Sequence, residues 1–426
     1  MSVNVTRRRL VAASSLLLTD AALGGCARSG VGRTPIGPGG EQAGGAPTSN
    51  DTAAASPPKR RIVVCLDGTL ATPQASTNIA WIATGCEGTG ARPVPQHVSY
   101  LEGVGTRRGE RFSGGAFGYG LSRQLLDAYR FIRGTWRSSE DEIFIFGLSR
   151  GAFAARSLAN LIGLVGCLDT DSPELLDEAY RGWYRHARSS HPAARARAER
   201  AAAVVRPHVR PAKIAFLGVF DTVGTLGTAA LFPEAGWDDA FMGVLRGEGR
   251  LEERLHDTGL GGHVERAYHA LAIDEDLTHF TPDIWADAPD NPRQQQVWFA
   301  GGHGDAGGRH PDTRGHAKSL AKVPLVWMME KAREAGLALE RESWERLQAE
   351  ADPLEPQHDA PPGVVPRFSG TLRRLGHTGP RSIPANAVID RAVRTRLGQL
   401  VEIRDAEGNR MREQPYQPLN LPRAVG

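Results

Sequence analysis

The sequence is poor in the features that assign a protein to a class at once. It has 4 cysteines, too few for a disulfide framework. Cys65 and Cys167 lie in apolar runs, where a thiol behaves as a small buried hydrophobe. Lysine and arginine total 51 against 48 aspartates and glutamates, a net charge of +3. That excess is too small to argue for nucleic acid, and the 7% of aromatic residues do not interleave with basic ones. No internal repeat is evident, which excludes a solenoid. No apolar run reaches the ~20 residues that a membrane-spanning helix requires. A globular body with a defined site remains.

The first 26 residues read as an export signal, not as part of that body. Thr6-Arg7-Arg8-Arg9-Leu10-Val11 opens a mostly apolar stretch, interrupted by Asp20, that ends in Leu23-Gly24-Gly25-Cys26. Small residues before a cysteine are what a lipoprotein cleavage site presents. The paired Arg7 and Arg8 resemble a twin-arginine signal, whose machinery passes folded cargo. Processing would leave Cys26 as a lipidated N-terminus, and several acyl chains hold a protein stably at a membrane. The next residue, Ala27, is not aspartate, which by resemblance to lipoproteins favours the outer membrane of a Gram-negative host. The expected location is the cell envelope, lipid-anchored. Residues 27–59 are rich in Gly, Pro, Ala, Ser and Thr and read as a disordered tether reaching about 30 Å.

From residue 60 to 426 strand-like runs alternate with helical patterns. Arg61–Leu66, His97–Leu101, Glu142–Phe146, Lys213–Phe220 and Gln295–Ala300 are the five candidate strands. A glycine-rich loop over 103–120 leads into a helix from about Leu121 to Arg133, and Pro324 suits the first turn of a helix ending near Ala335. Such alternation implies a mostly parallel sheet with helices on both faces, whose ligand chemistry collects beyond the carboxyl ends of the strands. Two stretches interrupt it, near 168–212 and 225–262. Ser172 caps a helix start in the first, which carries Leu175, Leu176, Tyr180, Trp183 and Tyr184. Leu231, Phe232, Trp237, Phe241 and Met242 lie in the second. Either could roof a site as a cap or lid, or simply pack onto the body. The arginine-dense run 191–210 reads as a solvated helix face.

Gly147-Leu148-Ser149-Arg150-Gly151 follows the third strand and precedes a helical stretch, the context of a nucleophile elbow. Small residues on either side of Ser149 let the chain turn sharply enough to lift its oxygen above the sheet. A serine nucleophile needs a base and an orienting acid, and Ser149, Asp221 and His303 occur in the order serine, acid, histidine at expected strand ends. Asp257, Asp274 and Asp305 compete for the acid's role. The first two sit in irregular or helical sequence, and Asp305 is better suited to bracing the turn at His303. The Arg150 amide and one from the Gly68-Thr69 turn are the candidate oxyanion donors. The spacing of His303, Asp305, His310 and Asp312 fits no zinc signature, so no metal is assigned. His256 and His269 read as structural histidines. The residues that bind substrate cannot be assigned.

Several short motifs occur in one order: Ile62-Val63-Val64-Cys65-Leu66-Asp67-Gly68-Thr69, Thr77-Asn78, Gly114 to Gly120, and Gly147 to Arg156. They are followed by Phe220 to Gly224, His256-Asp257-Thr258, His269 to Glu275, Val297-Trp298-Phe299 and His303 to Gly308. Together they resemble the catalytic domain of type VI secretion phospholipase effectors, from about residue 60 to at least residue 335. The resemblance implies an α/β-hydrolase fold, in which the two interrupting stretches are the candidate helical cap or lid insertions. It also implies a serine, aspartate and histidine at Ser149, Asp221 and His303, and hydrolysis of phospholipid acyl esters without a cofactor or catalytic metal. Leu70-Ala71 and Arg309 depart from the family pattern at the mouth of the site, where they bear on substrate preference. No delivery module is apparent.

The reading that follows is a membrane-tethered serine ester hydrolase whose partners are a lipid substrate and the membrane surface. Two alternatives stay open: an esterase on another envelope ester, such as an acylated glycan or a polyester, and a non-catalytic envelope binding protein on a hydrolase fold. The sequence assigns no oligomeric state.

Overall fold

In the computed structural model the residues described are 59–86, 94–106, 114–184, 191–223, 260–285, 291–308, 318–359, 378–405 and 408–421. The export signal with Cys26, nearly all of the tether, and the second insertion up to residue 259 lie outside them, as do Asp257, His256, Arg309, His310 and Asp312.

Seven strands form one sheet in the order β10-β8-β7-β6-β3-β1-β2, and every pairing in it is parallel. They are β1 (Arg61–Leu66), β2 (Gln96–Leu101), β3 (Glu142–Leu148), β6 (Ile214–Phe220), β7 (Ala267–Ala272), β8 (Gln294–Phe299) and β10 (Val388–Ile389), while β4 (Cys167–Leu168) and β5 (Val209–Arg210) pair antiparallel outside it. Parallel strands need crossovers, and helices supply them. The principal ones are α1 (Asn78–Cys86), α2 (Gly114–Thr135) and α3 (Arg150–Val165). Alternate residues of each strand enter opposite cores. Ile62, Val64, Leu66, Ile143 and Ile145 pack with residues of α2 and α3. Val63, Cys65, Phe144, Phe146 and Phe216 pack with α1 and with the later helix Lys322–Glu334. This is the mostly parallel sheet with helices on both faces that the alternation implies, and it has the α/β-hydrolase-like architecture that the resemblance implies.

Register aligns the strand ends. Leu66 pairs with Gly147, Leu148 with Phe220, Phe220 with Ala270, and Ala272 with Phe299. Asp67, Ser149, Asp221 and the residues after β8 therefore emerge at one edge. The chain leaves β1 for β2 on one side and reaches β3 on the other, so a topological switch point, where crevices form, lies between Asp67 and Ser149.

Several expectations need correction. The helix expected to begin near Leu121 begins at Gly114, because packing of its later turns on the sheet offsets the poor helix propensity of four glycines among its first seven residues. Strand β7 was not foreseen: AYHALA carries three alanines and no β-branched residue. Asp274, read as irregular or helical, stands two residues past the end of that strand. In the first insertion, α4 (Pro173–Asp177) starts at Ser172, whose side chain accepts from the Leu175 amide at 3.1 Å. Leu175, Leu176, Tyr180 and Trp183 are buried in the core shared with α2 and α3. These residues pack the insertion onto the body and do not roof a site. Along α5 (Pro192–Val205), Ala198, Ala201, Ala202 and Val205 face inward while Arg195, Arg197 and Arg200 are solvated.

After residue 318 come α7 (Lys322–Glu334), following the short α6 (His303–Gly307), then α8 (Arg341–Glu350) and α9 (Arg391–Arg396). Strands β9 (Gln357–His358), β11 (Leu400–Arg404) and β12 (Arg410–Pro415) make a small second sheet. Val393, Val401, Ile403 and Tyr416 form a third core with Leu271, Ile273 and Trp298 at the carboxyl end of β7 and β8.

The elbow is closely packed. A methyl at Gly151 would collide with the carbonyl oxygens of Leu66 and Asp67, and one at Gly147 with the backbone of Gly151 and Ala152. All of these neighbours are backbone atoms and cannot swing aside. Replacing Gly151 with alanine is therefore expected to cost about 3 kcal/mol or more of stability. The measurement is a urea denaturation, in which the midpoint falls at unchanged slope.

Candidate active site

Ser149 closes β3 and opens α3 with φ 57° and ψ −117°, outside the regions an L-residue ordinarily occupies. Strain of this kind survives only where surroundings over-determine the backbone. Here the Ser149 amide donates to the Phe220 carbonyl at 2.9 Å, and the Ser149 carbonyl accepts from Phe153 at 3.1 Å. The hydroxyl stands over the N-terminus of α3, whose first amides have no acceptor within the helix.

Asp221 follows β6 in a second left-handed conformation, φ 42°. Its side chain is fully buried. His303 opens α6 on the turn after β8. Ser149 Oγ lies 3.0 Å from His303 Nε2, and His303 Nδ1 lies 2.6 Å from Asp221 Oδ2. With its proton on Nδ1, facing the carboxylate, the imidazole leaves Nε2 to accept from the serine hydroxyl. The three residues read from the sequence as serine, acid and base are thus brought together. Phe280 packs its ring 4.8 Å from the His303 ring, shielding that face from water.

The turn that carries His303 is held by carboxylates. Glu275 accepts from the His303 amide at 3.0 Å, Asp305 from the Gly302 amide at 3.0 Å, and Asp274 from the Gly301 amide at 2.7 Å. Gly301 has φ +104°, and a Cβ there would overlap the Asp305 side chain. Asp305 is braced in turn by His358, whose amide and Nδ1 approach at 3.1 and 2.9 Å. Asp305 therefore sits where a bracing residue belongs, not as the acid. Asn78 reaches across from α1 to donate to the Ala306 carbonyl at 2.9 Å.

The other wall is the turn after β1. Asp67 Oδ2 accepts from Thr77 and Tyr100 at 2.5 and 2.6 Å, and Oδ1 accepts from the Gly68 amide at 2.7 Å. Burial and the Asp67 charge push the Tyr100 phenol well above its ordinary range. The Gly68 amide, expected to help bind an oxyanion, is already committed to Asp67. Of the residues expected in that role, Arg150 and Thr69 remain, and the Thr69 hydroxyl oxygen is buried with no hydrogen-bond partner. The departure at Leu70-Ala71 belongs to the same turn: Ala71 is fully buried and its carbonyl accepts from Gly103 at 2.9 Å. Ala71 thus supports the loop, while Leu70 is half-buried.

His269, on β7, is fully buried and accepts from the Thr222 amide at 3.1 Å through Nε2. Burial, then the nearby Arg156, push its pKa down to about 3. It is a neutral structural histidine under the acid. Among the described residues, no group of three or more His, Cys, Asp or Glu side chains could hold a metal ion.

Sequence reasoning missed Arg381. Its guanidinium forks onto the Asp221 carboxylate, Nη1 to Oδ1 at 2.6 Å and Nη2 to Oδ2 at 2.8 Å. Burial opposes ionisation of Asp221. The Arg381 charge and the hydrogen bonds from His303 and Arg381 overcome it and hold the carboxyl well below the usual carboxylate range. No motif surrounds Arg381 in the sequence, so only its place in space identifies it.

A family model described as "T6SS, Phospholipase effector Tle1-like, catalytic domain" matches residues 60–331. An uncharacterized protein of Saccharomyces cerevisiae, YEL023C, is 29% identical over 196 residues, which are 41% of this chain and 28% of that protein. The chain thus spans little more than a quarter of that relative's length. Among solved structures, an uncharacterized protein from Pseudomonas aeruginosa is similar at 16% identity and TM-score 0.38, over 68% of this chain and 48% of that one. The Tle1 effector bound to the VgrG spike of a type VI secretion system is similar at 18% identity and TM-score 0.36, over 60% and 52%.

Asp274 yields a test of the histidine turn's electrostatics. Burial raises its carboxyl from 3.8 to about 6, against the hydrogen bonds from Gly301 and Tyr416. The folded protein then binds a proton more readily than the unfolded chain between those values, so this group subtracts stability as pH rises through the window. Asp274→Asn keeps an acceptor for Gly301 and removes the charge. At pH 7 it should be more stable than wild type by on the order of 3 kcal/mol, a lead that vanishes by about pH 4. Parallel urea unfolding of both proteins across that range reads the difference.

Proposed function

The chain belongs to the Tle1-like type VI secretion phospholipase effector family, over its catalytic domain, and from that membership we propose that it is a serine hydrolase of phospholipid acyl esters. One observation carries the reading: the unbroken chain from Ser149 Oγ to His303 Nε2 at 3.0 Å and from His303 Nδ1 to Asp221 Oδ2 at 2.6 Å.

In this reading Ser149 Oγ attacks the acyl carbonyl carbon while its proton passes to His303 Nε2. The carbonyl oxygen takes the negative charge, opposite the Arg150 amide at the start of α3 and the Thr69 side of the β1 turn. Collapse breaks the ester bond, and His303 returns the proton to the departing lipid alcohol. Water, deprotonated by the same nitrogen, then releases the fatty acid and restores Ser149. Asp221 keeps the imidazole tautomer and stabilises the imidazolium. Nothing in the cycle calls for a metal or a cofactor.

The same reading puts the enzyme at a membrane. In it a lipidated Cys26 is the attachment, with residues 27–59 as a tether, a reading supported by the basic, apolar and small-residue pattern of the first 26 residues. Mass spectrometry of the membrane-extracted protein should find an acylated N-terminal Cys26. An intact Met1 would remove the anchor from the proposal and leave the chemistry standing.

Ser149→Ala is expected to lower fatty-acid release from phosphatidylglycerol and phosphatidylethanolamine vesicles by about a thousandfold or more, and Asp221→Asn by a comparable factor. Mass analysis of the lipid products supplies the check. Wild-type turnover of soluble acyl esters that exceeds release from vesicles would assign the same triad to another envelope ester. Equal activity of Ser149→Ala and wild type would eliminate Ser149 as nucleophile.

A further inference from the structure

Asp221 has more partners than orienting an imidazole requires. Oδ2 receives His303 Nδ1 and Arg381 Nη2, while Oδ1 receives Arg381 Nη1 and the Ala272 amide at 3.1 Å. All four donors lie close to the carboxylate, and neither charged side chain is open to water: Asp221 is 0% exposed and the Arg381 side chain 3%. The guanidinium is fixed in turn. Nη1 donates to the Ala272 carbonyl at 2.8 Å and Nη2 to the Phe280 carbonyl at 2.5 Å. The Arg381 carbonyl accepts from Asn420 Nδ2, which also donates to the Ile273 carbonyl. The fork is therefore anchored to the end of β7, to the loop beside His303, and to the C-terminal segment.

A carboxylate alone would favour a proton on the neighbouring imidazole by simple charge attraction. A permanent cation in bidentate contact with the same carboxylate opposes that attraction, and in a water-excluded site the opposition is weakly screened. Other charged or titratable groups around the pair act less directly. Glu275 takes the His303 amide, His269 is neutral beneath Thr222, and Arg156 is paired with Asp283 at 3.3 Å.

We infer that Arg381 is a positioning residue that fixes the Asp221 carboxylate and weakens the hold of the Asp221–His303 pair on a proton. It completes the site from beyond residues 60–331, the region the family model matches. The activity part of this inference rests on the proposed triad; the electrostatic part does not.

Two variants separate charge from geometry. Arg381→Gln keeps donors but removes the charge. Arg381→Lys keeps a charge but loses the planar fork. With the full chain acting on phospholipid vesicles, the acid limb of the kcat/KM profile should move to higher pH by about one unit or more in Arg381→Gln. In Arg381→Lys the limb should stay within about half a unit, with kcat lowered about tenfold at unchanged KM through loss of alignment. A second readout needs no substrate: the low-field proton NMR signal of His303 Nδ1–H, whose titration should shift in the same direction in Arg381→Gln. An active wild type with neither limb nor signal moved in a folded Arg381→Gln overturns the inference. So does a wild-type kcat in Arg381→Lys, which decides the matter if Arg381→Gln does not fold. A wild type that hydrolyses no ester, with the NMR titration shifted, defeats the proposed function and leaves the electrostatic role of Arg381 intact.

Discussion

The buried carboxylate of Asp221 is the constraint around which this site is organised. A charge fully removed from water must be met by hydrogen bonds and an opposite charge, or it neutralises. Here the demand is met by His303 from the turn after β8, the Ala272 amide at the end of β7, and Arg381 from the C-terminal region. Elements far apart in sequence must all be seated before the charge is satisfied. The arrangement links the geometry of Ser149, His303 and Asp221 to the integrity of the whole sheet edge.

The surrounding turns follow the same pattern. Asp67 gathers the Gly68 amide and two hydroxyls after β1, and Asp274, Glu275 and Asp305 take the backbone amides of Gly301, His303 and Gly302. Each turn at the carboxyl edge leaves amides without strand partners, and a nearby carboxylate collects them. Positive φ at Ser149, Asp221 and Gly301 marks where the chain bends most sharply. The rigidity of the edge comes from these short polar contacts. Its height above the sheet comes from the register of buried, β-branched and aromatic strands below.

What was legible in the sequence had a local cause. The strands at 61–66, 142–148 and 214–220 are dense in Val, Ile and Phe, and Ser149 stands between two glycines that only a very close turn explains. Asp221 and His303 could be named because each closes such a run. Strand β7 could not, since AYHALA favours a helix when judged alone and becomes a strand only between β6 and β8. The commitment of the Gly68 amide depends on the rotamer of Asp67, and Arg381 is important through a contact 160 residues away. Nothing in the neighbouring letters encodes either. The role of the first insertion was undecidable from pattern, because apolar residues facing a ligand and apolar residues facing a core read alike.

The position of Arg381 in the chain has a bearing on how the site comes into being. A polypeptide made from its N-terminus outward contains Ser149, Asp221 and His303 before the arginine has been synthesised. Until the C-terminal segment docks, the aspartate lacks its counter-charge and the neighbouring Phe280 carbonyl lacks its donor. The ion pair can therefore form only once residue 381 has been made, and a chain cut short before it carries Ser149, Asp221 and His303 without the guanidinium that grips the aspartate.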